Sequence, residues 1–306
     1  MNILVTGASG FIGQALVDNL ASQGNLVYAL YRIPPQEKRM RVIAVKGDVL
    51  KEGLGIEADS LPHFDQIFHL AGIVNLGTDK DGMTYRTNVW GTENVLKFCT
   101  RHDIPHILFC STAYTLGRNS YERSKALAEM LVRESDIPLK TIFKPSIVLG
   151  TPDYPCGGHF PQFVSMIVRV HRRAERIRRA VEGGLRLPVI RPVFRAKGNP
   201  NGYLNMVRID KVAEKMAEFT DPGTYWLTNP HPPTLGQLAE WISRTILVDF
   251  KIEPNFKPTP IESQLARMVS AFTPYLKGDN FSSNINGDEL TYDFIRWTIN
   301  SQLKKG

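Results

Sequence analysis

A chain of 306 residues, 42% apolar and 22% charged, is long enough to bury a sizeable core and to form one large domain or two coupled ones. Its 37 Lys and Arg against 30 Asp and Glu leave a net charge of +7, which suits an acidic protein, a phosphate-bearing substrate, an anionic membrane or nucleic acid. No run of about 18 apolar residues argues for a transmembrane segment, and three scattered cysteines (Cys99, Cys110, Cys156) without metal-ligand spacing argue against structural zinc and for a reducing, cytoplasmic setting.

Met1-Asn2 leads directly into the apolar Ile3-Leu4-Val5, with no basic leader of the secretory kind, so no signal peptide is expected. From there short apolar runs alternate with helix-like segments. Strands are predicted over 2–6, 26–31, 41–46, 66–70, 106–110 and 140–143, and helices over 11–23, 85–101 and 120–134. That alternation predicts an α/β fold with a Rossmann-type doubly wound parallel sheet. Residues 152–158, with two prolines and two glycines, break the rhythm and mark a border. A basic helix is predicted over 161–182, a strand and helix over 206–219, a strand over 223–228, and a mostly helical tail from 234 with a loop at 277–287. The proline-punctuated stretch 187–200 fits no element. No internal repeat is present.

The first chemical signal is Thr6-Gly7-Ala8-Ser9-Gly10-Phe11-Ile12-Gly13, between the first strand and the first helix. Glycines there allow positive φ, close approach of a pyrophosphate and tight packing of helix on strand, while the helix N-terminus offers unpaired N–H groups. After the second strand stands Arg32, with Lys38, Arg39 and Arg41 behind it and no acid before Glu37. An arginine at this point pairs with a 2′-phosphate, whereas an acid would hold ribose hydroxyls, so NADPH is expected in preference to NADH. Asp48, after the third strand, is placed to accept a hydrogen bond from the adenine amino group, although Gly47-Asp48 is also a common turn sequence. Small residues in His69-Leu70-Ala71-Gly72 leave room for the cofactor. Tyr121 and Lys125, four apart, share one helical face, where an ammonium lowers the phenol pKa toward working pH and equips it for proton transfer to a carbonyl oxygen. Ser111-Thr112 supply hydroxyls nearby.

These segments, with Asn88-Val89-Trp90-Gly91-Thr92 and Lys144-Pro145-Ser146-Ile147-Val148-Leu149-Gly150, stand in an order that resembles the extended short-chain dehydrogenase/reductase family. Val207 to Ala213 is similar to that family's later strand-helix motif. The resemblance implies that Thr112 binds the substrate carbonyl, Tyr121 donates the proton, Lys125 holds the ribose and lowers the tyrosine pKa, and Asn88 braces the helix that carries them. It implies a cofactor held along Gly7, Ser9, Gly10, Phe11, Ile12 and Gly13, by Arg32, Asp48 and Val49, by Leu70, Ala71 and Gly72, and at Ser111, Tyr121, Lys125, Pro145 and Ile147. The NADP-binding domain is then 1–153, rejoined by 204–230, and a smaller, mostly helical substrate-binding part takes 154–203 and 231–306. Family members often dimerise through two helices of the nucleotide domain, so a homodimer is among the expectations. Only eight residues separate Thr112 from Tyr121, fewer than the family's usual loop, which implies an open mouth for a long or tethered substrate.

Within the family, 47–55, 71–75, 121–129 and 144–150 resemble the thioester reductase and fatty acyl-CoA reductase branch, as do Tyr275-Leu276 and Asn280 to Asn284. The expected reaction is reduction of an acyl thioester, carried by an acyl carrier protein or coenzyme A, to aldehyde or alcohol. The arginine-rich stretch from Arg169 to Arg179 would dock an acidic carrier protein or the phosphates of coenzyme A, or is simply a solvated helical face. It holds no interleaved aromatics, which speaks against nucleic acid. Two other readings stay open: oxidation or reduction of a hydroxyl or ketone on a lipid, steroid-like or sugar-nucleotide substrate, and a non-catalytic NADPH-sensing regulator.

Overall fold

The computed structural model describes residues 1–56, 61–155, 158–185, 193–286 and 289–303. The chain forms two compact units. The first gathers Met1–Val148, Val207–Thr228 and Ser282–Asn286. Its frame is a seven-stranded sheet in the order β3-β2-β1-β4-β5-β6-β10, formed by β1 (Asn2–Thr6), β2 (Leu26–Tyr31), β3 (Val42–Lys46), β4 (Gln66–His69), β5 (His106–Cys110), β6 (Leu139–Pro145) and β10 (Gly223–Leu227). Every pairing in it is parallel. Parallel strands are covered on both faces, so they read as continuous apolar runs; accordingly Ile3, Leu4 and Val5 are fully buried and all of β5 is buried.

One face is closed by α1 (Phe11–Ser22) and α6 (Ile209–Glu218), which pack on each other. The buried Ile209, Val212, Ala213, Met216 and Ala217 recur at three- and four-residue spacing along one stripe of α6. With Leu16, Val17 and Leu20, the α6 residues Val212, Met216 and Ala217 make a single apolar layer. The other face carries α3 (Gly91–Arg101) and α4 (Ser120–Glu134), through Val95, Phe98, Ala128 and Val132. The expected helix over 85–101 is interrupted: a three-residue helix α2 (Met83–Tyr85) passes into a π-helical turn, Arg86–Trp90, before α3 begins. The segment Ser282–Asn286 seals the end of β10. Asn284 N–H donates to Trp226 O at 2.9 Å, Trp226 N–H donates to Asn284 Oδ1 at 2.7 Å, and Ser283 Oγ donates to Thr228 O at 2.7 Å.

The second unit takes Leu149–Met206, Asn229–Phe281 and Gly287–Gly306. Its longest described helix is α5 (His159–Leu185), joined by α7 (Leu235–Ile246), α8 (Pro260–Met268) and α9 (Tyr292–Leu303). A parallel pair, β8 (Phe194–Lys197) and β11 (Phe250–Glu253), lies among them. A short pair, β7 (Ile147–Leu149) with β9 (Met206–Arg208), stands at the crossings of the chain. The strand β11 departs from the helical tail expected of the sequence, because four residues hide their alternation: Phe250 and Ile252 are buried while Lys251 is exposed. Of the unassigned stretch, 187–192 lies outside the described residues, as does Cys156. Among the described residues no helix is long and apolar enough to cross a membrane.

Candidate active site

The carboxyl ends of β1, β2, β4, β5 and β6 carry most of the residues singled out by sequence. In open parallel sheets ligands bind beyond those ends, where the strand order reverses; here β1 lies between β2 and β4.

At β1, Gly7 adopts φ +74, and a Cβ there would lie 2.5 Å from Ala71 N and 2.7 Å from the carbonyl carbon of Leu70. A Cβ on Gly13 would lie 2.1 Å from Gly7 O. Gly10 has φ −73 and works differently: it is the N-cap of α1, its N–H donating to Gly7 O at 2.9 Å. No side chain caps α1 and no acid occupies its first turn. Ser9 and Gly10 are exposed, Phe11 and Ile12 half-buried. The β1–α1 turn thus offers uncapped N–H groups beside backbone that only glycine permits, an arrangement that fits a pyrophosphate.

At β2 the three arginines separate. Arg39 pairs with Asp18 on α1, and Arg41 Nη1 donates to Gly24 O at 3.0 Å. Arg32 stands exposed just past the strand end and lines a cavity of about 700 Å³ with Lys46, Asp48 and Lys51. Asp48 Oδ1 accepts from Leu50 N at 2.9 Å, closing a turn. The Val49 side chain is buried in the core, against the spot where a Cβ on Gly91 would lie 3.1 Å from Val49 Cγ2.

At β4, His69 is fully buried between two hydroxyls, its Nδ1 2.7 Å from Thr6 Oγ1 and its Nε2 3.0 Å from Thr92 Oγ1. Burial, aided by the charge of Lys125, lowers its pKa to about 3, so the ring is a neutral strut between β1, β4 and α3. Leu70 and Ala71 are half-buried, and Gly72 follows on open backbone. Asn88, inside the π-helical turn, accepts from Ile73 N at 2.8 Å and donates to Ile73 O at 3.0 Å and to Ser124 Oγ at 2.9 Å. Ser124 Oγ donates to Tyr121 O at 2.8 Å. One buried amide therefore ties the segment after β4 to the first turns of α4.

Tyr121 and Lys125 lie one turn apart on α4, Tyr121 half-buried and Lys125 only 5% exposed. Lys125 Nζ donates to Cys110 O, the end of β5, at 2.5 Å and lies 4.3 Å from the centre of the Phe109 ring. Burial depresses its pKa from 10.5 to about 8, with the neighbouring Cys110 and Glu129 opposing that fall. Thr112 is buried, its Oγ1 accepting from Tyr114 N at 3.2 Å and lying 3.5 Å from Pro145 O. Pro145 is buried and Ile147 half-buried.

The hydroxyl of Ser111 is committed elsewhere: Oγ donates to Glu129 Oε2 at 2.6 Å. Glu129 also holds Lys144 Nζ at 3.0 Å and Arg133 Nη2 at 2.8 Å. Its burial opposes ionisation, but hydrogen bonds from Ser111, Arg133 and Lys144 outweigh it and lower the pKa. This network lay outside the sequence reading, although Glu129 sits four residues after Lys125 and eight after Tyr121 on one helical stripe. The short loop before α4 has its own lock. Glu122, fully buried, accepts from Arg118 N at 3.0 Å and from Arg118 Nε at 2.9 Å, while Asn119 caps α4 by accepting from Glu122 N at 2.9 Å. Among the described residues no three metal-binding side chains cluster.

Residues 3–136 match the model of the NAD dependent epimerase/dehydratase family, and residues 116–216 that of the male sterility protein family. D-erythronate dehydrogenase of Haemophilus influenzae is 28% identical over 160 residues, covering 44% of this chain and 50% of that protein. The chain spans about half the length of the first curated relatives it matches. Among solved structures, UDP-glucose 4-epimerase of Thermotoga maritima superposes with a TM-score of 0.68 at 17% identity, covering 100% of this chain and 99% of that one. A thiolation-reductase di-domain from an archaeal non-ribosomal peptide synthetase gives 0.67 at 14% identity, covering 99% and 90%. Matched in succession by those two families from residue 3 to 216, and built on a seven-stranded parallel sheet, the chain resembles the extended short-chain dehydrogenase/reductases.

Proposed function

We propose that this protein is an NADPH-dependent reductase of a carbonyl, with an acyl thioester, linked to a carrier protein or coenzyme A, as its substrate. The observation that carries the oxidoreductase reading is the Tyr121–Lys125 pair on α4, with Lys125 drawn to the end of β5 beside Thr112. The male sterility match over residues 116–216, which includes that pair, supports the thioester branch. Arg32, unpaired among the described residues where a 2′-phosphate would lie, supports NADPH.

When bound, the nicotinamide cofactor supplies a hydride to the carbonyl carbon. The uncapped N-terminus of α1 and the backbone of Gly7, Gly10 and Gly13 hold its pyrophosphate. The hydroxyls of Tyr121 and Thr112 hydrogen-bond the substrate oxygen as negative charge develops on it. Tyr121 then delivers its proton to that oxygen, and the Lys125 ammonium, held against Cys110 O, favours the tyrosinate left behind. With a thioester the product is a hemithioacetal; breaking its C–S bond releases a thiol and an aldehyde. Asn88 positions Tyr121 through Ser124.

The test is consumption of NADPH, and in parallel NADH, with acyl thioesters beside matched ketones and aldehydes, using Tyr121→Phe as the blank. Thioester-dependent oxidation of NADPH that falls by about 10²-fold or more in the variant is expected. Turnover of ketones alone would replace the thioester by an alcohol-dehydrogenase substrate. Cofactor binding without turnover of any carbonyl would make the protein a sensor.

A further inference from the structure

Helix α5 carries a charge pattern that the chemistry at Tyr121 does not use. Its inner face repeats at helical spacing through the buried Phe160, Phe163, Val164, Ile167, Val170 and Ala174. Arg169, Arg172, Arg173, Arg176 and Arg179 recur at the same three- and four-residue spacing on the opposite face, and all are exposed. They span eleven residues, about 15 Å of helix axis.

The helix does not neutralise them. Its acids, Glu175 and Glu182, converge on Arg178, which lies on the flank with a side chain 19% exposed. Glu175 reaches Arg179 only at 4.0 Å. Arg169, Arg172, Arg173 and Arg176 make no ion pair among the described residues. A solvated helix usually interleaves signs for i,i+4 support; this face holds one sign only. Without these five arginines the net charge would fall from +7 to +2, so the imbalance of the whole chain is concentrated here.

The inner stripe also runs past its packing. Ile177 and Val181 continue it in the last turns, yet are 55% and 40% exposed. The face therefore presents five guanidinium forks with an apolar margin along one side. Arginine forks pair bidentately with carboxylates. A second copy of the chain would set arginine against arginine. A lipid surface seated on the arginines would leave Ile177 and Val181 to the side, away from its apolar interior. Nucleic acid would find no aromatic on this face for base stacking.

Resting on the thioester reading above, we propose that this face of α5 docks an acidic helix of the carrier protein that delivers the acyl thioester. Carboxylates on that helix pair with the arginines, and its apolar residues cover Ile177 and Val181.

The experiment uses the full chain and the triple variant Arg169→Glu/Arg173→Glu/Arg176→Glu, with octanoyl-loaded holo acyl carrier protein from bacterial fatty-acid synthesis and octanoyl-pantetheine as paired substrates. The expected result is a KM for the carrier substrate raised about tenfold or more, an unchanged KM for the pantetheine substrate, and a wild-type carrier KM that rises steeply with salt. Binding of the unacylated holo carrier to the two proteins is measured separately, so that a chain inactive on thioesters still reports on the dock. Such inactivity with charge-dependent carrier binding would sink the thioester reading and leave the dock standing. Equal loss for both substrates, or carrier binding indifferent to the triple reversal, would overturn the dock. So would binding of the wild type to mixed phosphatidylglycerol–phosphatidylcholine vesicles in place of the carrier. Coincident thermal melts of the two proteins confirm that the reversals leave the fold intact.

Discussion

Lys125 is held by a carbonyl on one side and an aromatic ring on the other, with 5% of its surface exposed. Burial penalises the ammonium, which therefore loses its proton near pH 8 instead of near 10.5. A lysine that must be charged to favour a tyrosinate then limits activity from the alkaline side. The expected profile of kcat/KM, which reports the free enzyme, descends through about pH 8, and the measurement is turnover at subsaturating substrate across pH 6–10. A profile flat to pH 10 would separate Lys125 from the chemistry.

Glu129 acts on the same helix by another route. Its carboxylate joins Ser111 on the loop after β5, Lys144 on β6 and Arg133 on α4. Lys144 is itself buried, and its Nζ lies 4.9 Å from the centre of the Trp226 ring on β10. Removing one partner of a buried pair strands the other's charge, at a cost of about 3 kcal/mol. Glu129→Gln is expected to lower the unfolding free energy measured in urea by that much, and Glu129→Gln/Lys144→Met to recover most of it. If the double variant loses the sum of both single losses, the pair is not coupled.

At the scale of elements, the β1–α1 turn shows how local sequence and packing meet. Gly7 is needed for its φ and for the approach of Ala71, but Gly13 is needed for space alone, since a side chain there collides with the Gly7 carbonyl. Gly13→Ala forces backbone to move, which costs about 3 kcal/mol and opens the turn. The expected outcome is a lower melting temperature together with loss of NADPH binding by fluorescence titration. Retention of both would show that α1 slides freely on β1. The π-helical turn at Arg86–Trp90 is the second such element. It sets Asn88 where one amide reaches both Ile73 and Ser124. π-bulges concentrate at functional sites, and here the bulge aims a bracing side chain.

At the scale of the molecule, the first unit is assembled from three separated stretches of chain. Val207, Val212 and Met216 complete the apolar layer over α1, β10 pairs with β6, and Ile285 enters the same core. Residues 1–150 alone would expose that face of the sheet, including Phe143, whose ring centre lies 6.2 Å from that of Tyr225 on β10. Such a fragment is expected to lack a cooperative urea transition and to bind a hydrophobic dye. A sharp transition in the fragment would show that the later segments decorate a self-sufficient core.

What the sequence determined by itself was local: strands buried on both faces, which announce themselves as apolar runs, glycines at a strand–helix turn, and a tyrosine and lysine one helical turn apart. Each is set by residues within a few positions of one another, so β1 to β6, α1 and α4 were legible, as was the family order of motifs. What only the tertiary structure decided was long-range. Arg39 and Arg41 turn to Asp18 and Gly24 while Arg32 alone of these three stands at the strand end, and nothing in their spacing separates them. Ser111 gives its hydroxyl to Glu129, 18 residues away, and Ser282–Asn286 returns to the end of β10 from 54 residues beyond Thr228. The strands β8 and β11 exist because each supplies the other's hydrogen bonds across the second unit. Backbone groups find distant partners only once the chain has closed, and the identity of those partners leaves no periodic trace in the residues that make them.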